Sequence, residues 1–176
     1  MLIRMAGPGP IDALYHAVRF DDLKFAERLA VWTLRLWNQS VAPDGSHRNI
    51  LSIAYEKAGA PDAMPSIDGT LWAFQIGGHR KLSVGYPCTA TLSEDERRLL
   101  HLLACYQAGA APAARPVLDT LAPAATARAV QAPLSVWAAC LERAGLVLPI
   151  RDWDLPELRG PVQIESTSTQ HQRAVH

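Results

Sequence analysis

The sequence predicts an all-α, single-domain bundle of six to eight short helices, with room for one short β element near residues 80–87. Three observations predict it. Apolar residues recur at three- and four-residue spacing through most of the chain. Pro and Gly stand between these stretches as helix starts and stops. An apolar fraction of 49% over 176 residues is enough to bury one core without disulfides or metals.

Residues 1–10, "MLIRMAGPGP", end in dense punctuation and read as a flexible lead-in to a helical domain spanning 11–159. "PIDALYHAVRF" reads as a short helix. Residues 21–40 make the best long helix, capped by Asp21 or Asp22, with its acidic residues early, where the helix dipole favours them. One of its stripes runs Leu23, Ala26, Ala30, Thr33, Trp37, and another runs Phe25, Leu29, Trp32, Leu36. A helix apolar on more than one face is either wrapped by neighbours or meets a second chain.

Residues 43–59 form the next helix, with Ser46 as cap, Ile50, Ile53, Ala54 and Lys57 at helical spacing, and Gly59 at the stop. Residues 66–87 support two readings. Ile67, Leu71 and Phe74 predict a helix over 66–76 capped by Ser66, followed by an extended piece at 80–87. The alternations Trp72, Phe74, Ile76 and Leu82, Val84, Tyr86 around Gly77-Gly78 instead fit a hairpin. The helix is favoured.

"TLSEDERRLLHLLACYQAG" is a helix with a capping box at Ser93 and Glu96, a staple from Leu92, a core face of Leu99, Leu100, Leu103 and Ala104, and a stop at Gly109. Three short helices separated by Pro112, Pro123 and Pro133 follow, the last ending at Gly145; Pro116 suits only a first turn. No fixed repeat period is present. "LVLPIRDWDLPELRG" is irregular and packs back on the bundle, and residues 160–176 read as a disordered tail.

Composition excludes several functions. The formal net charge is zero, which argues against a sequence-independent grip on nucleic acid and favours self-association. No run reaches membrane-spanning length and the first residues carry no signal-peptide core, so no membrane role is expected. Three cysteines, two of them in helices, suit a reducing compartment, and the few lysines, three against fourteen arginines, suggest a high-GC genome. The expected location is the bacterial cytoplasm.

Three constellations could carry chemistry. Cys88, His101 and Cys105, with twelve and then three residues between them, match half of a zinc-ligand pattern, and His101 and Cys105 share a helix face. If 70–87 is a hairpin, His79 could supply the fourth ligand, and residues 70–105 would resemble the layout of a zinc finger, with one motif residue missing and Cys105 in place of the last His. Second, Gly77, Gly78, His79, Arg80 and Lys81 combine a freed backbone with positive charge, a combination that can bind anions, although no P-loop pattern is present. Third, Phe25, Trp32, Leu36 and Trp153 are aromatic and apolar anchors of the kind enriched at protein interfaces.

The acidic pairs Asp21-Asp22 and Glu94-Asp95-Glu96 sit at helix starts, where they serve the dipole. No nucleophile motif is present. The leading expectation is a non-enzymatic, self-associating protein-interaction or regulatory module without a cofactor. A zinc protein is the alternative, and an anion or small-molecule binder at Gly77–Lys81 the weaker one.

Overall fold

The computed structural model describes residues 18–39 and 46–159. The expected lead-in at 1–10, most of the short helix after it and the tail at 160–176 lie outside the described residues. The described chain forms six α-helices: α1 (Phe25–Gln39), α2 (Ser46–Lys57), α3 (Met64–Gly77), α4 (Glu94–Gln107), α5 (Ala111–Leu121) and α6 (Ala124–Arg143). This is the all-α bundle predicted. Among the described residues there is no sheet, only an isolated antiparallel bridge between Arg19 and Thr91.

Helix α6 is the axis, with α3 and α4 packed along it and α5 against α4. Helix α1 lies across α2 and α4. Val130, Leu134, Trp137 and Leu141 of α6 are fully buried at helical spacing, facing Ile67, Leu71 and Phe74 of α3 and Leu99, Leu100 and Leu103 of α4 in one core. The segment after α6 folds back as expected, burying Leu148, Trp153 and Leu155.

Several helix ends follow the sequence reading. Ser93 Oγ accepts from the Glu96 N–H at 3.1 Å, and the Glu96 carboxylate accepts from the Ser93 N–H at 2.9 Å, completing the capping box. Gly59, Gly109 and Gly145 follow helices with φ of 80°, 67° and 74°, the left-handed stop that costs glycine least.

Five sequence readings are corrected. Asp21 and Asp22 do not cap α1; they lie in a 3₁₀ turn, Phe20–Asp22, and Glu27 reaches back to accept from the Lys24 N–H at 2.8 Å instead. Ser66 does not start α3, which begins at Met64 with Pro65 in its first turn. The Ser66 hydroxyl donates back to the Ala63 carbonyl at 2.7 Å. Pro133 does not divide α6; the helix runs through it for 20 residues, with the ring facing Gly69 of α3. Pro116 likewise lies within α5 rather than in its first turn. Residues 81–86 carry neither helix nor strand, which removes the hairpin.

Candidate functional site: an apolar groove between α1 and α2

The sequence of α1 explains why it is buried on one side and open on the other. At 100° per residue, Ala26, Ala30, Thr33, Leu34 and Trp37 point inward, while Phe25, Arg28, Leu29 and Trp32 fall on an adjoining stripe. That stripe, one wall of α2 at Ala54, and Phe20 line a groove of about 420 Å³. Its mouth is apolar: Phe25 is 58% exposed and Trp32 half-buried. Ile50, one turn before Ala54, and Ile53, next to it in sequence, extend the apolar surface along α2 and are both exposed.

Buried hydrogen bonds fix the groove's two walls. The Tyr55 hydroxyl of α2 bonds Thr33 Oγ1 of α1 at 3.0 Å and accepts from Trp137 Nε1 of α6 at 3.2 Å. Thr33 in turn donates to the Leu29 carbonyl at 2.7 Å. Burial pushes the Tyr55 hydroxyl well above its ordinary value, so it stays protonated and holds this junction at any physiological pH.

The third wall, Phe20, is held by charge. Its ring lies under the Arg35 guanidinium, 5.1 Å from ring centre to Cζ. Arg35 also donates to the carbonyls of Thr89 (2.7 Å) and Thr91 (3.0 Å). The segment so positioned pairs with the chain entering α1: the Phe20 N–H donates to Ala90 and the Leu92 N–H to Val18. Arg35 is thus a positioning residue for the groove.

A second ionic cluster organises the start of α4. Asp95 accepts from Arg80 (2.6 and 2.9 Å), from Arg98 (2.8 Å) and from the Ser83 N–H (2.6 Å). Arg98 also grips Glu157, tying the C-terminal strap to α4. Burial pushes the Asp95 and Glu157 carboxyls up, but the hydrogen bonds outweigh it and hold both below their ordinary values. On the far side of α1, Arg151 grips Glu27 at 2.6 and 2.8 Å.

Of the residues expected to meet a partner, Phe25 and Trp32 line the groove, whereas Leu36 is buried deeper along the same stripe. Trp153 does not belong to this face. It is 2% exposed, stacked under Arg151 with 5.7 Å between Cζ and ring centre. Phe20 and Arg28 complete the groove and were not singled out from sequence, whereas Leu29 lies on the stripe read there. The α2 side was signalled by Ile50, Ile53 and Ala54 at helical spacing.

The Gly77–Lys81 turn spends its donors internally. The Gly78 N–H binds the Phe74 carbonyl, the His79 N–H binds the Leu121 carbonyl, and Arg80 is committed to Asp95. It follows a helix C-terminus, whose dipole disfavours anions. Lys81 is exposed.

The four expected metal ligands do not converge, and among the described residues no three His, Cys, Asp or Glu side chains gather to hold an ion. His101 and Cys105 do meet, with Nε2 to Sγ at 3.4 Å, but His101 also bonds the Ala113 carbonyl and both side chains are buried. Burial pushes the Cys105 thiol up, away from the thiolate a nucleophile or ligand needs. Cys88 is exposed on a turn, and His79 bonds the Asp119 carbonyl.

A second, shallower apolar groove of about 300 Å³ lies between α3 and α6, lined by Trp72, Ala73, Ile76, Gly77, Thr126 and Ala129. Among the described residues no helix is long and apolar enough to cross a membrane. No family model, no curated protein and no solved structure matches this chain.

Proposed function

We propose that this protein is a non-enzymatic interaction module of the bacterial cytoplasm that self-associates through the α1–α2 groove. The observation that carries the reading is the exposure of Phe25 and the half-burial of Trp32 on a helix whose opposite side is fixed by buried hydrogen bonds. A rigid apolar groove with an aromatic mouth presents contact area at little entropic cost, the usual basis of an interface hot spot. Zero net charge removes the long-range repulsion that would oppose association of like chains.

Light scattering behind size-exclusion chromatography tests the reading. The expected result is a concentration-dependent rise in mass that Trp32→Ala abolishes. A monomer throughout, unchanged by Trp32→Ala, overturns it.

A further inference from the structure

The α1–α2 groove is lined by Phe20 and by residues of α1 and α2, and Phe25 at its mouth is the first residue of α1. What fixes that first residue lies on the other side of the helix. A full capping box has two bonds: one accepted by the side chain before the helix, and one accepted in return by a Glu or Gln three residues later. Lys24 has no side-chain acceptor, so only the second bond is possible here; Glu27 Oε2 accepts from the Lys24 N–H at 2.8 Å. The placing of the Glu27 side chain therefore decides whether the turn that carries Phe25 is closed. Glu27 lies about 200° round the helix from Phe25, and its side chain has no solvent exposure. A carboxylate so buried is stable only with a cation beside it. Arg151 of the C-terminal strap supplies that cation, with Nε and Nη2 at 2.6 and 2.8 Å from the two carboxylate oxygens.

The strap in turn fixes Arg151. Its guanidinium stacks on Trp153, which is 2% exposed and whose carbonyl accepts from Arg97 of α4 at 2.8 Å. Four residues further on, Arg98 of α4 grips Glu157. A continuous run of bonded groups thus leads from α4, through the strap, to the start of α1.

We propose that Arg151 is a positioning residue for the groove mouth, so that seating of the strap regulates the α1–α2 groove, a coupling that rests on the reading of this groove as a docking surface. With the strap seated, Glu27 closes the first turn and Phe25 stands one turn from Leu29, where both line the groove. With the strap lifted, Glu27 loses its cation, its carboxylate turns to water, and the Lys24 N–H is released. The first turn then frays and the mouth loses its aromatic wall. By linkage, a partner that needs the ordered mouth also holds the strap down.

Amide hydrogen exchange read residue by residue by NMR on the full chain tests this, comparing wild type with Arg151→Met and Arg151→Lys. The Lys24 and Arg28 amides report the turn, since the first binds Glu27 and the second binds the Lys24 carbonyl at 2.9 Å. The expected result is exchange at these two amides at least about threefold faster in Arg151→Met, with residues 130–141 of α6 unchanged. Arg151→Lys, which keeps a cation for Glu27, should stay within about twofold of wild type. Arg151→Met should also weaken self-association at least about threefold by analytical ultracentrifugation. Equal exchange in wild type and Arg151→Met overturns the proposal, as does acceleration spread evenly into 130–141, which would leave Arg151 only a share in global stability. Equal loss in Arg151→Lys and Arg151→Met overturns it as well, because charge would not be the link. If Arg151→Met does not fold, Arg151→Gln, which can still donate one neutral hydrogen bond, is read by the same criterion. If Trp32→Ala breaks self-association while Arg151→Met changes either exchange or association but not both, the coupling is wrong and the docking reading stands. If Trp32→Ala breaks self-association and Arg151→Met changes neither, the coupling is likewise wrong and the docking reading stands. If exchange responds as expected but the chain is monomeric in wild type and variants alike, the positioning role is right and the docking reading falls.

Discussion

Arg35 and Glu96, 61 residues apart in sequence, form a two-bond ion pair in which neither side chain has any solvent exposure. Nε and Nη2 of Arg35 lie 2.8 and 3.1 Å from the two carboxylate oxygens. Both partners are further satisfied by backbone: Arg35 by Thr89 and Thr91, Glu96 by the N–H groups of Gly85 and Ser93. Such a pair adds little net stability over apolar residues of the same volume, but removing one member strands the other charge. Glu96→Ala should therefore cost about 3–5 kcal/mol in urea denaturation. The double variant Arg35→Met/Glu96→Leu removes the stranded charge but leaves the Thr89 and Thr91 carbonyls and the Gly85 and Ser93 N–H groups unpaired, so it should recover only part of that loss. A single variant costing under about 1 kcal/mol would mean that the pair is not desolvated in solution.

The Asp95–Arg98–Glu157 cluster predicts an acid limb to stability. Both carboxyls titrate lower in the folded chain than their ordinary values of 3.8 and 4.5. The unfolded chain therefore takes up these protons first as pH falls, and ∂ΔG/∂pH is positive there. The contribution is fully present above about pH 5 and is lost as pH drops through 4.5 and 3.8 toward the depressed folded values. Urea midpoints measured from pH 7 down to about 3 should be flat and then fall, and Asp95→Asn should shallow the fall. A midpoint that falls equally in Asp95→Asn would place the titrating groups elsewhere.

The helices were legible wherever their ends are made by local chemistry. Ser93 with Glu96, and Gly59, Gly109 and Gly145, act within one turn, so sequence neighbours suffice to read them. Asp21 and Asp22 misled because they have cap chemistry but lie in the turn held by Ala90 and Thr91, while Glu27 does the capping. The Arg35–Glu96 and Arg151–Glu27 pairs were invisible, since nothing in a linear pattern links charges 61 and 124 residues apart. Half of the groove could be read, because Phe25, Leu29 and Trp32 share a helical stripe. Phe20 and Ala54 join it only through tertiary packing. The metal-like spacing of Cys88, His101 and Cys105 is a linear pattern only: with no hairpin, His79 and these three do not gather into one group among the described residues.

Pro133 could stay inside α6 because α3 offers it a glycine. A Cβ built on Gly69 would lie 3.2 Å from Pro133 Cβ, tighter than ordinary packing. The missing side chain lets the two helices approach where the proline ring stands out from α6. A branched residue there must push the helices apart, and the strain should outweigh the helix propensity gained by replacing glycine. Gly69→Val is expected to destabilise the fold by about 1–3 kcal/mol. In a double-mutant cycle with Pro133→Gly, which removes the Cβ that the new side chain meets, the two changes should be non-additive; additive effects would place the strain elsewhere. Thermal unfolding followed by circular dichroism reads both.

Two apolar surfaces compete for the role of interface, and a pair of charge substitutions separates them. Phe25 is 58% exposed at the α1–α2 groove, and Ile76 is 80% exposed at the α3–α6 groove. Neither residue is part of the buried core, so aspartate at either position should change stability by under about 0.5 kcal/mol. The consequences for association differ. The α1–α2 groove is bounded by Phe20, Phe25 and Trp32 on walls pinned by Tyr55 and Arg35, so a partner side chain entering it is desolvated by fixed aromatic surface. The α3–α6 groove is smaller, and most of its lining is alanine, glycine and threonine. A charge placed in a desolvated aromatic pocket should cost at least about 2 kcal/mol of binding, or roughly thirtyfold in Kd. Phe25→Asp should therefore raise the dissociation constant of self-association at least thirtyfold by analytical ultracentrifugation, while Ile76→Asp leaves it within about twofold. The reverse pattern would move the interface to α3 and α6.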